Sequence, residues 1–229
     1  MKYFTELQEG LNDPNIFKAF FLAGGPGSGK SFVVRTTTGG TGLQIVNSDD
    51  AFERYLKDAG ISLKMSGSDP RRDEIRDKAK KVIKKREKNF IEGRLGIIID
   101  GTGKNYDKIA KQSNDLKQIG YDTHMIFVNT SLDVALERNA KRDRTVPESI
   151  AIQSWKDVQS NIGKFSQHFK QNFVVVDNND SSSKDTQVFN DVFKQIKGLL
   201  KKKVKSPIAK QWVMQQMKDR GIKRAPKGF

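Results

Sequence analysis

A glycine-rich segment has the residue types and spacing of a phosphate-binding loop. It matches the pattern G-x-x-x-x-G-K-[ST] without a mismatch, and its residues are Gly24, Gly25, Pro26, Gly27, Ser28, Gly29, Lys30 and Ser31. Glycines let backbone N–H groups converge on phosphate oxygens without obstruction by a Cβ atom. The Lys30 ammonium can reach the β- and γ-phosphates, and the Ser31 hydroxyl can ligate Mg²⁺. The segment therefore predicts a site for ATP and Mg²⁺.

A carboxylate with a candidate catalytic role follows the second apolar run of the chain. The segment Asn47–Asp50 comes directly after Leu43–Val46 and opens a helical stretch. In an open parallel sheet the active crevice lies at the carboxyl ends of the strands, so a carboxylate there can accept the proton of an attacking hydroxyl. We take Asp49 as the candidate base and Asp50 as a helix cap or supporting group. The alternative is that both residues only cap the helix, because Asp is a favoured N-cap residue.

A second carboxylate ends the run Ile97–Ile99. In P-loop proteins an acid at such a position lies near Mg²⁺ or its water shell, so Asp100 is the candidate metal residue together with Ser31. Thr102 lies between two glycines, which predicts close approach of the backbone to a ligand. We take Thr102 as a candidate substrate-binding residue. The alternative is a solvated Asp-Gly turn.

An arginine-rich segment supplies candidate cations for the transferred phosphoryl group. Arg138 and Arg142 are four residues apart, which predicts one helix face over 131–142, and Arg144 follows closely. Guanidinium groups can clamp phosphoryl oxygens as their charge shifts, so Arg138 and Arg142 are candidate catalytic residues, and Arg142 also a nucleotide ligand. The segment would form a lid that excludes water. The alternative is a solvated basic helix end.

The elements that must position these side chains alternate along the chain. Short apolar runs predict five buried strands near 20–23, 43–46, 96–99, 124–128 and 173–176. Helical patterns fall between or after them, near 30–38, 50–58, 70–93, 105–119, 131–142, 147–160 and 185–203, and a short docked helix is predicted around 208–217. The alternation predicts an α/β fold of three layers, with a parallel sheet, a helical lid and a basic C-terminal extension.

The composition of the 229 residues excludes several classes of protein. The chain has no cysteine, which excludes disulfides and thiolate chemistry, and its two histidines leave no His-rich metal site. No apolar run approaches the roughly 20 residues of a membrane span, and the N-terminus has no signal-peptide pattern. We expect a cytoplasmic protein without a membrane partner. The predicted division is a kinase domain over 1–200 and a basic extension over 201–229.

Taken together, these motifs resemble the P-loop kinases grouped with phage-type polynucleotide 5′-kinases and zeta toxins, over residues 18–177. The segment Asn47–Asp50 is similar to the base segment of the polynucleotide kinases, which implies Asp49 as the base and Arg142 as the phosphate-contacting arginine. The segment Asp100–Gly103 is closer to the zeta toxins, which carry Glu where this chain has Asp100. Zeta toxins phosphorylate a UDP-amino-sugar.

The resemblance leaves the phosphoryl acceptor open. A polynucleotide kinase would offer an arginine three residues beyond the base, where this chain has Phe52, and Arg54 is the nearby candidate substrate-binding residue. The net charge of +15 is concentrated in 71–88 and 194–229, which are candidate contacts for nucleic acid or solvated faces. The favoured function is an ATP-dependent kinase of a hydroxyl on a nucleic acid or nucleotide. The alternatives are a UDP-amino-sugar kinase and a nucleic-acid-binding NTPase without an acceptor.

Overall fold

The computed structural model describes residues 9–64, 69–142, 145–179, 185–225 and 229. Within these ranges, five strands form one parallel sheet, and all five coincide with the predicted apolar runs. Their order across the sheet is β2-β3-β1-β4-β5, so the central strand is the one that precedes the phosphate loop. The strands are β1 (Lys18–Ala23), β2 (Gln44–Val46), β3 (Ile97–Asp100), β4 (Asp122–Asn129) and β5 (Phe173–Asp177).

Helices cover the sheet and connect its strands. They are α1 (Glu9–Asn12), α2 (Lys30–Thr38), α3 (Ser48–Asp58), α4 (Arg71–Glu92), α5 (Tyr106–Gln118), α6 (Leu132–Ala140), α7 (Glu148–Ser160), α8 (Ile162–Phe169), α9 (Asp185–Lys201) and α10 (Pro207–Asp219). A short 3₁₀ turn precedes β5. Two helices, α1 and α8, were not predicted, because each spans at most eight residues, which is shorter than the window over which a helical period is recognised. The predicted α/β fold with flanking helices is confirmed.

The core lies on both faces of the sheet because side chains alternate along each strand. From β1, Phe21 and Ala23 face a layer that contains Phe165 of α8, whereas Phe20 and Leu22 face a layer that contains Val33 of α2. All six residues of β1 are buried, as expected for a central parallel strand. The sheet therefore holds the loop after β1 on a rigid base.

The C-terminal helix α10 packs against the first of these layers. Ala209 and Val213 are buried in it, and the Trp212 ring meets the Phe17 ring edge to face at 5.5 Å between centroids. The helix begins at Pro207, and the Ser206 hydroxyl caps it by accepting a hydrogen bond from the Ala209 N–H. The docked helix predicted around 208–217 is therefore present. The division at residue 200 stays a prediction.

Among the described helices, none has both the length and the apolar composition that crossing a bilayer requires.

One buried histidine in the second layer makes stability depend on pH. His124 is stacked on Phe20 at 4.7 Å, and neither ring nitrogen has a hydrogen-bond partner among the described residues. Burial, reinforced by the charges of Lys18 and Lys202, lowers the pKa of His124 to about 3. Below about pH 6.5, His124 of the unfolded chain therefore binds a proton that the folded chain does not bind. The free energy of unfolding consequently falls as the pH falls below that value.

We expect a pH change from 7.5 to 5.0 to reduce the free energy of unfolding by about 2 kcal/mol through His124. The variant His124→Phe keeps the stacked ring but cannot take up the proton, so this part of the pH dependence should vanish. Urea unfolding of both proteins at the two pH values measures the difference. An equal pH dependence in the variant would show that His124 is not the group responsible.

Candidate active site

Seven of the predicted site residues line one cavity at the carboxyl ends of the strands, which we call the inner cavity; they are Pro26, Lys30, Ser31, Asp49, Asp100, Thr102 and Arg142. Its volume is roughly 370 Å³. Residues from the phosphate loop, the start of α3, the end of β3 and the lid segment after α6 line it. Those that concern the chemistry are Pro26, Lys30, Ser31, Asn47, Asp49, Asp50, Glu53, Arg76, Asp100, Thr102, Lys104 and Arg142.

The phosphate loop adopts the tight turn that its glycines predict. Gly27 and Gly29 have φ values of 78° and 83°, in the region that favours glycine. A Cβ atom on Gly27 would lie 2.0 Å from the backbone oxygen of Ala135, so no side chain fits there. Helix α2 begins at Lys30. Its free N–H groups and positive end point toward the loop, where a phosphate group would be stabilised.

The Lys30 ammonium is held by the loop itself. Its Nζ atom donates hydrogen bonds to the backbone oxygens of Gly24 at 2.5 Å and Gly25 at 3.3 Å. Burial lowers the pKa of Lys30, and Arg142 adds to this effect, while Asp100 and Asp49 oppose it. Lys30 and Arg142 therefore concentrate positive charge where the loop receives an anionic ligand.

Polar side chains that follow β4 and β5 form hydrogen bonds to the backbone of the phosphate loop. The backbone oxygen of Ser28 accepts hydrogen bonds from Asn178 Nδ2 at 2.8 Å and from the Thr130 hydroxyl at 3.3 Å. The Trp155 indole in turn donates to the backbone oxygen of Thr130 at 2.7 Å. Sequence analysis assigned none of these roles. The position of Asn178 directly after the predicted strand β5 was the available signal, although β5 itself is only partly buried.

An asparagine connects the two candidate carboxylates. Asn47 Oδ1 accepts a hydrogen bond from the Asp49 N–H at 2.7 Å and caps α3, while Asn47 Nδ2 donates to Asp100 Oδ2 at 2.9 Å. The expectation that Asp50 caps the helix was wrong, because α3 begins at Ser48 and places Asp50 within its first turn. Asp49 and Asp50 remain in the inner cavity, near the positive end of α3.

The environment of Asp100 disfavours its charge. Burial raises the pKa of Asp100, and the nearby carboxylates of Asp50 and Asp49 add to the effect, whereas the Lys30 ammonium opposes it. A cation bound at this point would favour the ionised form of Asp100, since opposite charges stabilise each other at short range. Asp100 therefore suits a site that a metal ion or a cationic group completes.

We expect Asn47→Ala to reduce both stability and activity. Loss of the cap costs about 1 kcal/mol, and Asp100 loses the hydrogen bond that orients it. Asn47→Asp restores the cap but places another carboxylate beside Asp100, so the acid limb of the pH–rate profile should move to higher pH. Asn105→Ala is the matched control, because the Asn105 side chain also caps a helix, α5, by accepting a hydrogen bond from the Lys108 N–H, and Asn105 does not line the cavity. An unshifted profile in Asn47→Asp would contradict a positioning role.

The lid segment differs from the predicted continuous helix. Helix α6 ends at Ala140, so Arg142 lies beyond it, and the prediction of one helix face for Arg138 and Arg142 was wrong. The cause is Asn139, whose side chain donates to the Val146 carbonyl at 2.7 Å and accepts from the Val146 N–H at 3.1 Å. These two hydrogen bonds turn the chain back before Pro147. Arg144 lies outside the described residues.

A second cavity of roughly 390 Å³, the outer cavity, lies on the other side of the phosphate loop. The residues that line both cavities are Lys30, Ser31, Asp50, Glu53 and Arg142, whereas Asp49 and Asp100 line only the inner one. Arg138 lines only the outer cavity, where its Nη1 atom donates to the backbone oxygen of Asn178 at 2.6 Å. Three further residues there were not predicted: Phe32, which is 55% exposed, Arg35 and Glu53.

The predicted substrate residues occupy different places. Thr102 lines the inner cavity, and its backbone oxygen accepts a hydrogen bond from the Gly24 N–H at 2.9 Å. Arg54 does not line the inner or the outer cavity; it faces a separate cavity beside α3. Arg76 of α4 lines the inner cavity instead, with its guanidinium 4.4 Å from the centroid of the Phe52 ring. Phe52 itself is buried, so it offers no group to a substrate.

The described residues contain no group of three or more His, Asp or Glu side chains that could hold a metal ion on their own. Mg²⁺ does not require such a group, because one or two protein oxygens together with substrate phosphates and water complete its coordination. The Ser31 hydroxyl and the Asp100 carboxylate line the same cavity and are oxygen donors of that kind. The site therefore fits Mg²⁺ that binds with a nucleotide.

Comparison with solved structures agrees with the observed fold. The PezAT toxin–antitoxin system of Streptococcus pneumoniae contains a chain with a TM-score of 0.54 at 15% identity, over 85% of this chain and 91% of that one. The AvrRxo1-ORF1:-ORF2 complex with ATP gives 0.55 at 15% identity, over 70% of this chain and 54% of that one. At these identities the similarity shows the shared fold alone.

Comparison of sequences identifies the family. A protein of Methanothrix thermoacetophila described as a cytidylate kinase is 32% identical over 136 residues, which cover 57% of this chain and 67% of that protein. The family model described as Zeta toxin matches residues 6–188, which include the phosphate loop, both candidate carboxylates and the lid arginines. The chain therefore belongs to the zeta toxin family of P-loop kinases.

Proposed function

We propose that the protein transfers the γ-phosphoryl group of ATP to a hydroxyl of a nucleotide-class acceptor. The observation that carries the proposal is the division of the site into two cavities. Lys30, Ser31 and Arg142 line both, whereas the candidate base Asp49 lines only the inner one. ATP in the outer cavity would thus present its γ-phosphate at the junction, and the acceptor would approach from the side of Asp49.

The transfer needs little chemistry from the protein beyond positioning and charge. The acceptor oxygen forms a bond to the γ-phosphorus, the bond from that phosphorus to the bridging oxygen breaks, and ADP leaves. Asp49 takes the proton of the acceptor hydroxyl. Lys30 and Arg142 stabilise the charge on the transferring oxygens, and the loop N–H groups hold the phosphates.

Ser31 and Asp100 would hold Mg²⁺ through the hydroxyl and the carboxylate, directly or through water. The ion supplies positive charge that shields the phosphates during attack. Burial raises the pKa of Asp100, which supports this assignment, because a positive charge bound there would favour the ionised carboxylate.

The nucleotide class of the acceptor follows from the charges on the inner cavity. Arg76 of α4 and Lys104, which follows β3, also line it, and they suit an anionic group on the acceptor. The exposed lysines that make helix α4 basic, Lys80, Lys84 and Lys88, do not line the cavity. A small nucleotide is therefore favoured over a long nucleic acid.

A second candidate acceptor is a UDP-amino-sugar. The observation that favours it is the match to the zeta toxin family, together with the placement of Asp100 and Thr102 in the inner cavity. A UDP-amino-sugar is itself a nucleotide with free hydroxyls, so the two candidates share the same chemistry and differ in which hydroxyl reacts.

Incubation with γ-labelled ATP and a panel of acceptors tests the proposal. The panel contains nucleoside monophosphates, a UDP-amino-sugar, a 5′-hydroxyl oligonucleotide and the corresponding nucleosides without phosphate. We expect label in a mononucleotide or in the sugar nucleotide. Label in the oligonucleotide alone would select a nucleic-acid kinase. Free phosphate with no labelled acceptor would indicate an NTPase and would contradict the proposal.

A further inference from the structure

A third cavity adjoins the inner cavity and is not explained by ATP binding. Its volume is roughly 290 Å³, and we call it the side cavity. Asn47 and Asp50 line both the inner and the side cavity, so the two meet at the start of α3. The remaining walls come from β2, α3 and α4 and are formed by Ile45, Ala51, Arg54, Ile83 and Arg86.

Helix geometry explains why two arginines reach this cavity. Arg54 lies four residues after Asp50 on α3, so the two side chains lie on one helix face, about one turn apart. Arg76 and Arg86 lie ten residues apart on α4, which corresponds to roughly 15 Å along the helix axis. Arg76 lines the inner cavity and Arg86 the side cavity. Helix α4 therefore supplies one arginine to each cavity, and α3 adds Arg54 to the side cavity.

Few acidic side chains lie near the two arginines of the side cavity to neutralise their positive charge. Arg54 contacts the Tyr55 ring, with its guanidinium carbon 5.1 Å from the ring centroid. In the described part of the chain neither Arg54 nor Arg86 forms an ion pair or a hydrogen bond. Asp50 is the acidic residue among the lining residues.

The apolar wall of the side cavity is also partly open. Ile45 of the edge strand β2 is 42% exposed and lies beside the arginines in the cavity lining. An exposed aliphatic side chain beside two cations suits a ligand with both an apolar face and a negative charge. A guanidinium pair recognises phosphate in particular, because each fork can donate two parallel hydrogen bonds to phosphate oxygens.

We propose that Arg54 and Arg86 bind a phosphate group of the acceptor, while its reacting hydroxyl lies beside Asp49 in the inner cavity. The inference deepens the proposed function and rests on it for the identity of the occupant as the acceptor. It requires an acceptor that carries a phosphate ester or diphosphate roughly 7.5 Å from the reacting hydroxyl, since Arg54 lies five residues beyond Asp49 on α3.

A binding experiment tests the side cavity without any turnover. The full chain is saturated with ADP and Mg²⁺, so that the phosphate loop is occupied. The dissociation constants of adenosine 3′-phosphate, UDP-N-acetylglucosamine and a short 5′-hydroxyl oligonucleotide are then measured by calorimetry. We expect at least one of these probes to bind, and the double variant Arg54→Gln/Arg86→Gln to weaken its binding on the order of 30-fold.

The matched control is the double variant Lys81→Gln/Lys85→Gln. It removes the same charge from exposed positions, both on α4, that line none of the three cavities. Its dissociation constants should stay within about twofold of the wild-type values, because isolated surface charges contribute little at physiological salt. Equal weakening in the two double variants, or binding that does not change in the arginine variant, would overturn the proposal. So would the absence of binding by all three probes.

Transfer assays then separate this proposal from the proposed function. For the acceptor that takes up label, the arginine variant should raise the KM for the acceptor and leave the KM for ATP unchanged. The nucleoside without its phosphate should be a poor acceptor that the substitutions do not affect further. If arginine-dependent binding is observed but no probe takes up label, the phosphate site stands and the proposed transfer fails.

Discussion

Replacing Asp49 by asparagine is expected to lower the rate of phosphoryl transfer on the order of 10³-fold. The amide has nearly the same shape as the carboxylate but cannot accept the proton of the acceptor hydroxyl. Asp49 lines the inner cavity and not the outer one, so ATP should bind with nearly unchanged affinity. Initial rates at saturating ATP and acceptor, together with the dissociation constant for ATP, measure the two effects separately.

The control for this variant is Asp58→Asn. Asp58 is an exposed carboxylate at the end of the same helix, α3, and lines none of the three cavities. Its replacement should leave transfer unchanged. If Asp49→Asn retained the wild-type rate, another group would have to accept the proton, and the assignment of Asp49 as the base would be wrong.

Replacing Lys30 by methionine is expected to lower kcat/KM on the order of 10³-fold, because the transferring phosphoryl group would lose a buried cation. Methionine fills a similar volume, so the loop should keep its shape. Lys30 also lowers the pKa of Asp100, against the effect of burial. Its removal should therefore move the acid limb of the remaining pH–rate profile to higher pH.

Lys108→Met serves as the comparison for Lys30→Met. Lys108 is exposed on α5 and does not line the inner or outer cavity. Kinetics across pH, combined with a thermal unfolding scan, distinguish a lost catalytic cation from a damaged fold. If a folded Lys30→Met protein kept the wild-type kcat/KM, the phosphate loop could not have the role in the reaction that is assigned to it.

Most of the fold was predictable because its signals are local. The strand run Ile97–Ile99 is apolar on consecutive positions, which only a strand buried on both faces explains well. Helix α4 has a periodic apolar stripe over 22 residues. Helix α8 was missed because it follows α7 after a single residue, Asn161, and has Gly163 in its first turn.

The candidate site was predictable where a motif specifies its residues, and less so where it depends on contacts between distant segments. The phosphate loop and Asp100 were found from their positions at strand ends. Asn47 and Asn178 were not assigned roles, because each acts by a hydrogen bond to a residue more than fifty positions away. Only the packing of α4 against α3 reveals that Arg76 faces the inner cavity.

The lid segment shows a different limit of prediction from the sequence. The spacing of Arg138 and Arg142 is compatible with one helix, and nothing in the intervening residues forbids it. The helix ends early because the Asn139 side chain binds the backbone of Val146 at both its N–H and its carbonyl. This pair of hydrogen bonds depends on the path that the chain takes after the helix. Helix propensity alone therefore cannot predict where the helix ends.

The fate of the γ-phosphoryl group in a single turnover tests the central claim most directly. Wild-type protein and Asp49→Asn are mixed with γ-labelled ATP and an acceptor from the panel, and labelled acceptor and free phosphate are counted in the same samples. The two-cavity arrangement predicts most of the label in the acceptor with wild-type protein and almost none with the variant. Equal ATP consumption by both proteins, with all label released as free phosphate, would contradict it.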